Sequence, residues 1–377
     1  ASKRLVDRKQ VSFERLSTTE LSEMAHIIGA THDFGKGTTY FQRYIAPDGD
    51  YSGSKKNHAS LSACFAYYWL RQRGFEDEIA LLGWYVVQRH HGNLTNLFTE
   101  GGELHRKAED PTHRELLKTQ SEDIVSYTED ALIEIYDPLG GGQYVSEFIE
   151  QMLSEEIVTE LTDHRYQLRS TYEVEDYYLV LLLFSIILDA DRTDSAGIGF
   201  EEWPSVGMET LPELDGRLVD EYKSTALSID SPLDEQREAA YSYVDERIKT
   251  ESVGAEHLLS LTMPTGSGKT LTALNAALKR RDAVGLPRPA RIVYSVPFLS
   301  IIDQNYSVYE QVLEVNGIAP TPNVLLRHDH TSAGYADSSA ASDDTTKELL
   351  QHPNRSLLLT EGWNAEIVTT TFVQFFE

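Results

Sequence analysis

Two groups of residues in this sequence have the types and spacings that phosphate chemistry requires. The first is scattered from position 32 to position 191: the pair His32-Asp33, then His58, the pair His90-His91, and Asp191. Imidazole and carboxylate together favour a divalent transition metal (Mn, Fe, Co or Ni) over Mg²⁺ alone, calcium or a structural zinc. One or two such ions, ~3.5–4 Å apart when paired, can activate a water and stabilise the leaving oxygen of a phosphodiester. Asp33 is the carboxylate placed to bridge two ions and take part in catalysis. Lys36, in Thr31-His-Asp-Phe-Gly-Lys36, is placed to neutralise a phosphate oxygen.

The second group is continuous. Met263-Pro-Thr-Gly266-Ser267-Gly268-Lys269-Thr270 lies between an expected strand and an expected helix. Glycines there let the backbone turn its N–H groups towards phosphate oxygens, and the helix N-terminus adds positive potential. Lys269 can reach the β and γ phosphates of ATP, and Thr270 can hold Mg²⁺. Met263 stands where the standard phosphate-loop pattern has glycine.

These residues need elements to hold them. Residues 1–200 read as mostly α-helical. Ser17-Thr-Thr-Glu20 is a capping box, followed by Leu21, Met24, Ala25 and Ile28 at core-facing spacing. A second helix starts near His58 and runs through Leu61, Phe65 and Trp69. A third covers Ile79 to about His91 and stops at Gly92. Residues 92–115 and 137–144 read as loops, and an apolar helix over 177–190 closes the region. His26 precedes the His32-Asp33 pair by six residues, roughly 240° round a helix, so it points elsewhere. His105, His113, His164, His257, His328, His330 and His352 read as surface or loop residues.

Glycine, proline and acidic residues dominate from Thr193 to Ser231, and 201–230 reads as a linker. Beyond it, short apolar runs at 258–262, 291–296, 324–326 and 367–371 alternate with helical patterns. That rhythm indicates a partial α/β domain with a parallel sheet, over 231–377. Residues 331–346 are rich in Ser, Ala and Asp.

Sixty acids against 33 bases give a net charge of −27, spread along the whole chain. Such a surface fits a cytoplasm at molar salt, where counterion release weakens phosphate contacts, so the lack of a basic footprint argues little against a nucleic-acid substrate. The longest strongly apolar stretch, Tyr177–Leu188, is too short to span a bilayer, which needs about 20 residues. One cysteine, Cys64, excludes an internal disulfide. A cytoplasmic protein with no membrane partner is expected.

The phosphate loop resembles motif I of superfamily 2 helicases, whose RecA-like first lobe is the fold it implies. Gln236 resembles the glutamine with which those enzymes read adenine. Ser295–Gln304 resembles their motif Ia, and Thr369–Gln374 a later DNA-contacting motif. The acidic motif II is expected after Glu377. The order His-Asp, His, His-His, Asp resembles the ligand order of HD-type phosphohydrolases; Asp189 competes with Asp191 for the last place, and Ala-Asp191-Arg matches that family's pattern better. That family usually has one more histidine upstream. Both motif sets on one chain, with Ala59-Ser-Leu-Ser-Ala and Glu361-Gly-Trp-Asn-Ala, resemble the CRISPR-associated nuclease–helicases of type I systems, in a halophilic archaeal version.

The resemblance implies a metal-dependent nuclease domain fused to a 3′-to-5′ ATP-dependent translocase. Its partners would be single-stranded DNA and an RNA-guided surveillance complex. Two other readings fit the residues: an HD phosphohydrolase acting on nucleotides with a regulatory phosphate-loop domain, and a non-catalytic docking fragment.

Overall fold

The computed structural model describes residues 13–95, 110–171, 173–195, 214–250, 259–284, 291–321, 323–328, 363 and 365–376. Two compact units divide at Arg192/Thr193. The described residues are mostly helical, with one small parallel sheet.

The first unit is a stack of helices: α1 (Thr18–Thr31), α2 (Thr39–Ile45), α3 (Ala59–Gln72), α4 (Asp77–Arg89), α5 (Pro111–Tyr127), α6 (Glu129–Tyr136), α7 (Gly142–Leu153), α8 (Glu156–Thr171) and α9 (Val174–Ser195). A 3₁₀ turn, Phe34–Gly37, joins α1 to α2. The capping box forms as expected. Glu20 N–H donates to Ser17 Oγ at 3.3 Å, and Ser17 N–H donates to the Glu20 carboxylate at 2.8 Å.

Every residue from Leu61 to Leu70 and from Ile79 to Val87 is buried. Helices apolar on all sides belong in the middle of a core, and α3 and α4 form the centre of this one. Gly83 allows them to approach closely: a Cβ there would meet Leu70 Cδ1 at 2.3 Å. A turn over 73–76 sends α4 back along α3, so the start of one and the end of the other meet.

Two boundaries differ from the sequence reading. Helix α5 begins inside the expected loop at 92–115, with Asp110 capping Thr112 N–H and Pro111 at the first position. Of the expected loop at 137–144, only a turn remains before α7 starts at Gly142. Gly140 supplies the left-handed residue there, at φ +82°.

The second unit contains α10 (Leu218–Ala226), α11 (Pro232–Thr250), α12 (Lys269–Val284), β1 (Ile292–Val296), α13 (Leu299–Val315), β2 (Leu325–His328), β3 (Ile367–Thr371) and α14 (Phe372–Phe376). The sheet order is β1-β3-β2 and both pairings are parallel, with Ile367 opposite Ile292 and Leu325. All five residues of β3 are buried, as a central parallel strand requires.

The expected linker at 201–230 is corrected by the fold. Leu214, Leu218, Val219 and Tyr222 are buried in the second unit's core, so residues 214–226 belong to that unit. Residues 201–213 lie outside the described residues. The expected strand at 258–262 does not form over 259–262, where Leu259 is exposed and no ladder partner is present among the described residues. His328 sits in β2 with its ring 5.3 Å from Trp363, not in a loop. The stretch 331–346 lies outside the described residues.

A buried ion pair ties this unit together. Arg281, on α12, donates to Glu366 just before β3 and to the Leu214 carbonyl, and both side chains are almost fully buried. Removing Glu366 takes from the buried Arg281 its nearest counter-charge. Glu366→Ala is therefore expected to destabilise the second unit by about 3 kcal/mol, read as a lower urea midpoint for its unfolding transition.

Candidate metal centre and phosphate loop

Six side chains from the first unit, His32, Asp33, His58, His90, His91 and Asp191, come together. His32 follows the last residue of α1 and Asp33 is next, at the start of the 3₁₀ turn. His58 is the N-cap of α3, His90 the C-cap of α4, His91 the next residue, and Asp191 lies near the end of α9. Packing α3 against α4 brings His58 to His91, whose Nε2 atoms are 2.9 Å apart.

Asp33 is the hub. Its Oδ1 lies 3.3 Å from His58 Nε2 and 3.8 Å from His90 Nε2. Its Oδ2 lies 3.3 Å from His32 Nε2 and 2.7 Å from Lys36 Nζ. His32 Nε2 is also 3.6 Å from Asp191 Oδ1. Two ligand groups result, Asp33-His58-His90-His91 and His32-Asp33-Asp191, and Asp33 is common to both. Among the described residues these groups include Asp191 and not Asp189.

The donor set fits a divalent transition metal. His32 Nδ1–H donates to the Gly29 carbonyl at 2.9 Å, and His90 Nδ1–H donates to the Val87 carbonyl at 2.6 Å. Each bond fixes the ring and aims Nε2 into the cluster. His32 Nε2, His90 Nε2 and Asp33 Oδ1 are buried without an aligned hydrogen-bond partner. Buried polar atoms left unpaired are costly, and a cation among them removes that cost.

The electrostatics agree. Burial opposes charge on both His32 and Asp33. For His32 the Asp191 and Asp33 carboxylates outweigh burial and raise its pKa to about 9. For Asp33 the nearby His32, His58 and Lys36 hold the carboxyl far below the usual range. The Asp191 carboxyl is lowered by His32. Burial lowers His90 to about 4 and also lowers His91, leaving both rings neutral at neutral pH with lone pairs to offer.

Lys36 meets Asp33 directly, so in this state it neutralises the carboxylate and not a phosphate. His26 points away: its ring donates to the Leu139 carbonyl at 2.8 Å and stands edge-on to Trp69.

The sequence reading missed the supports. A Cβ on Gly35 would lie 2.7 Å from the His58 carbonyl oxygen and 2.9 Å from its Cα, so only glycine lets the turn sit against the start of α3. Gly35 N–H donates to Ser62 Oγ, one turn into α3, at 2.9 Å. Phe41 stands edge-on to the His58 ring, with centroids 5.0 Å apart. The Phe-Gly-Lys sequence after Asp33 was the available signal for Gly35; nothing in the sequence marked Ser62 or Phe41.

In the second unit, Gly266 and Gly268 take φ of +82° and +85°, the left-handed geometry that turns successive N–H groups into an anion-binding concavity. Lys269 is exposed and opens α12. Ser267 Oγ donates to the Pro264 carbonyl at 2.6 Å, and Thr270 Oγ1 donates to Asn305 Oδ1 at 2.8 Å. Gln236 is exposed on α11, next to Arg237, which donates to the Gly266 carbonyl at 2.8 Å. That bond joins the glutamine's helix to the phosphate loop.

Residues 230–343 match the model of the type III restriction enzyme res subunit family. The chain is 28% identical to the CRISPR-associated nuclease/helicase Cas3 of Haloferax volcanii over 93% of its own length. It spans 39% of the length of that relative.

Gly35→Ala is expected to push the turn off His58 and weaken metal binding by about tenfold, the scale of losses from residues that orient ligands. Calorimetric titration with Mn²⁺ reads it. The pH dependence has a definite sign. His32 holds its proton up to about pH 9 in the metal-free protein and must release it to coordinate. Apparent metal affinity should therefore rise with pH towards 9, with proton release visible as a dependence of the binding heat on buffer ionisation enthalpy. A flat profile from pH 6.5 to 9 would remove His32 from the ligand set.

Proposed function

We propose that this chain is the nuclease domain and the first motor lobe of a CRISPR-associated nuclease/helicase. The first unit hydrolyses phosphodiester bonds in single-stranded DNA, as an HD-type domain over 1–200. The second, whose described residues begin at Leu214, binds ATP with Mg²⁺ as part of a 3′-to-5′ translocase. An RNA-guided surveillance complex that exposes a single strand would be its partner, in a cell whose salt matches the acidic surface. The observation that carries this reading is the convergence on Asp33 of candidate ligands from helices far apart in sequence, with three buried atoms that make no aligned hydrogen bond.

The family match to 230–343 and the similarity to a nuclease/helicase over both units support placing the two activities on one chain. His32, Asp33, His58, His90, His91 and Asp191 would hold a divalent transition metal, which would supply Lewis acidity and activate a water. The protein's own groups do the rest. Asp33 spans both ligand groups, and His32 and His90 are oriented by the carbonyls they bond. Lys36 can swing from Asp33 to an incoming phosphate oxygen. Gly266, Ser267, Gly268, Lys269 and Thr270 cradle the nucleotide phosphates while Gln236 reads the base.

With Mn²⁺, Fe²⁺, Co²⁺ or Ni²⁺ supplied, single-stranded oligonucleotides should be cut, and Asp33→Ala should lower the rate by at least about a hundredfold. Faster turnover of deoxynucleoside triphosphates than of oligonucleotides would favour a nucleotide phosphohydrolase instead. Less than one equivalent of metal after reconstitution, with no cleavage, would leave a docking fragment.

A further inference from the structure

The segment between the metal-binding turn and α3 departs from the acidic character of the chain. Residues 36–57 contain four bases, Lys36, Arg43, Lys55 and Lys56, against two acids, Asp48 and Asp50. Three of the chain's twelve lysines lie here, and four aromatic rings are interleaved with them: Tyr40, Phe41, Tyr44 and Tyr51.

The cations lie over the rings. Lys56 Nζ is 3.6 Å from the Tyr44 centroid and Lys55 Nζ is 5.0 Å from that of Tyr40. Lys36 Nζ is 5.6 Å from the Phe41 centroid. The Tyr40 and Tyr51 rings are 5.5 Å apart, and those of Phe41 and Tyr44 6.0 Å. Asp50 binds Arg43 through both oxygens and Asp33 holds Lys36, which leaves Lys55 and Lys56 as the available positive charge.

Core packing does not account for this cluster. Helix α2 buries none of its residues, and Tyr44 is 47% exposed. The segment is held by polar ties from α5. Asp123 accepts from Thr39 N–H at 2.6 Å and from the Thr39 hydroxyl. The buried Gln120 amide donates to the carbonyls of Lys55 and Asn57 at 2.8 and 2.9 Å. Gln42 ties back to the Lys36 carbonyl at 2.8 Å. Such anchoring holds the partly exposed rings in place before any ligand arrives.

The cluster is continuous with the metal centre at both contacts already described, Lys36 on Asp33 and Phe41 on His58. The exposed ring of Tyr44 and the half-buried rings of Tyr40 and Tyr51, flanked by cations, match a polymer of alternating π-faces and phosphates, and unpaired bases present such faces whereas a duplex hides them. We propose that residues 36–57 form a stacking platform that receives single-stranded DNA, Tyr40, Tyr44 and Tyr51 stacking on bases and Lys55 and Lys56 on phosphates. It delivers a backbone phosphate to the centre at Asp33. The proposal rests on the phosphodiesterase reading of that centre, but its test does not need cleavage.

Oligothymidylate carrying 5-iododeoxyuridine is bound in EDTA, which silences hydrolysis, then irradiated and the adducts mapped. Adducts are expected on Tyr40, Tyr44 or Tyr51. Tyr40→Ala/Tyr44→Ala should weaken binding about tenfold or more. Lys55→Ala/Lys56→Ala should reduce the slope of log Kd against log salt by about 1.4. Tyr127→Ala, a 75% exposed ring on α5 outside the platform, should stay within about twofold. Thermal melting of each variant checks that it is folded. Adducts confined to other parts of the chain, an unchanged salt slope, or tighter binding of duplex would overturn the proposal. A chain that binds this way yet never cleaves would overturn the reading of the metal centre alone.

Discussion

A single half-buried carboxylate, Asp33, sits where burial opposes its charge, and its surroundings must supply the compensation. Both of its oxygens are committed. One faces His58 and His90, the other His32 and Lys36. A carboxylate surrounded in this way needs positive charge from several directions, and no single helix can provide it. The first unit's packing is the solution: the ends of α1, α3, α4 and α9 all meet at one point.

The way the histidines are mounted follows from backbone chemistry at helix ends. The last carbonyls of a helix lack intrahelical partners. His32 and His90 each follow a helix and return their Nδ1–H to the carbonyl three residues back. The same bond satisfies the helix and locks the ring with Nε2 facing the carboxylate. His58 achieves its position differently, at the start of α3, where the absence of a side chain on Gly35 lets the 3₁₀ turn close against it. The centre is therefore rigid because α3 and α4 are buried along nearly their whole length. The segment 36–57 is fixed instead by hydrogen bonds to Asp123 and Gln120, with Tyr44 exposed and Tyr40 and Tyr51 half-buried.

The phosphate loop in the second unit obeys a more local rule. Two glycines in left-handed geometry and the start of α12 are contiguous in sequence, so its shape depends little on distant residues. Its long-range ties are few: Thr270 to Asn305 and Arg237 to the Gly266 carbonyl. This difference explains why such a loop can be read from eight residues, whereas the cluster around Asp33 needed positions 32 to 191.

Local patterns determined much of the fold from the sequence alone. The capping box at Ser17, the helices starting at His58 and ending near His90, and the strand at 367–371 are set by short-range periodicity and terminal chemistry. The glycine-lysine loop is likewise a local signal. The composition misled at 201–230, where glycine, proline and acids obscured the apolar spacing of Leu214, Leu218, Val219 and Tyr222. It also misled at 259–262, where an apolar run found no strand to pair with among the described residues. Residue types could nominate the ligands, but only tertiary packing could give the distances around Asp33. The same holds for Gly35 against His58 and for the rings beside Lys55 and Lys56, since these contacts join segments whose nearness is decided by how α3, α4 and α5 bury their apolar faces.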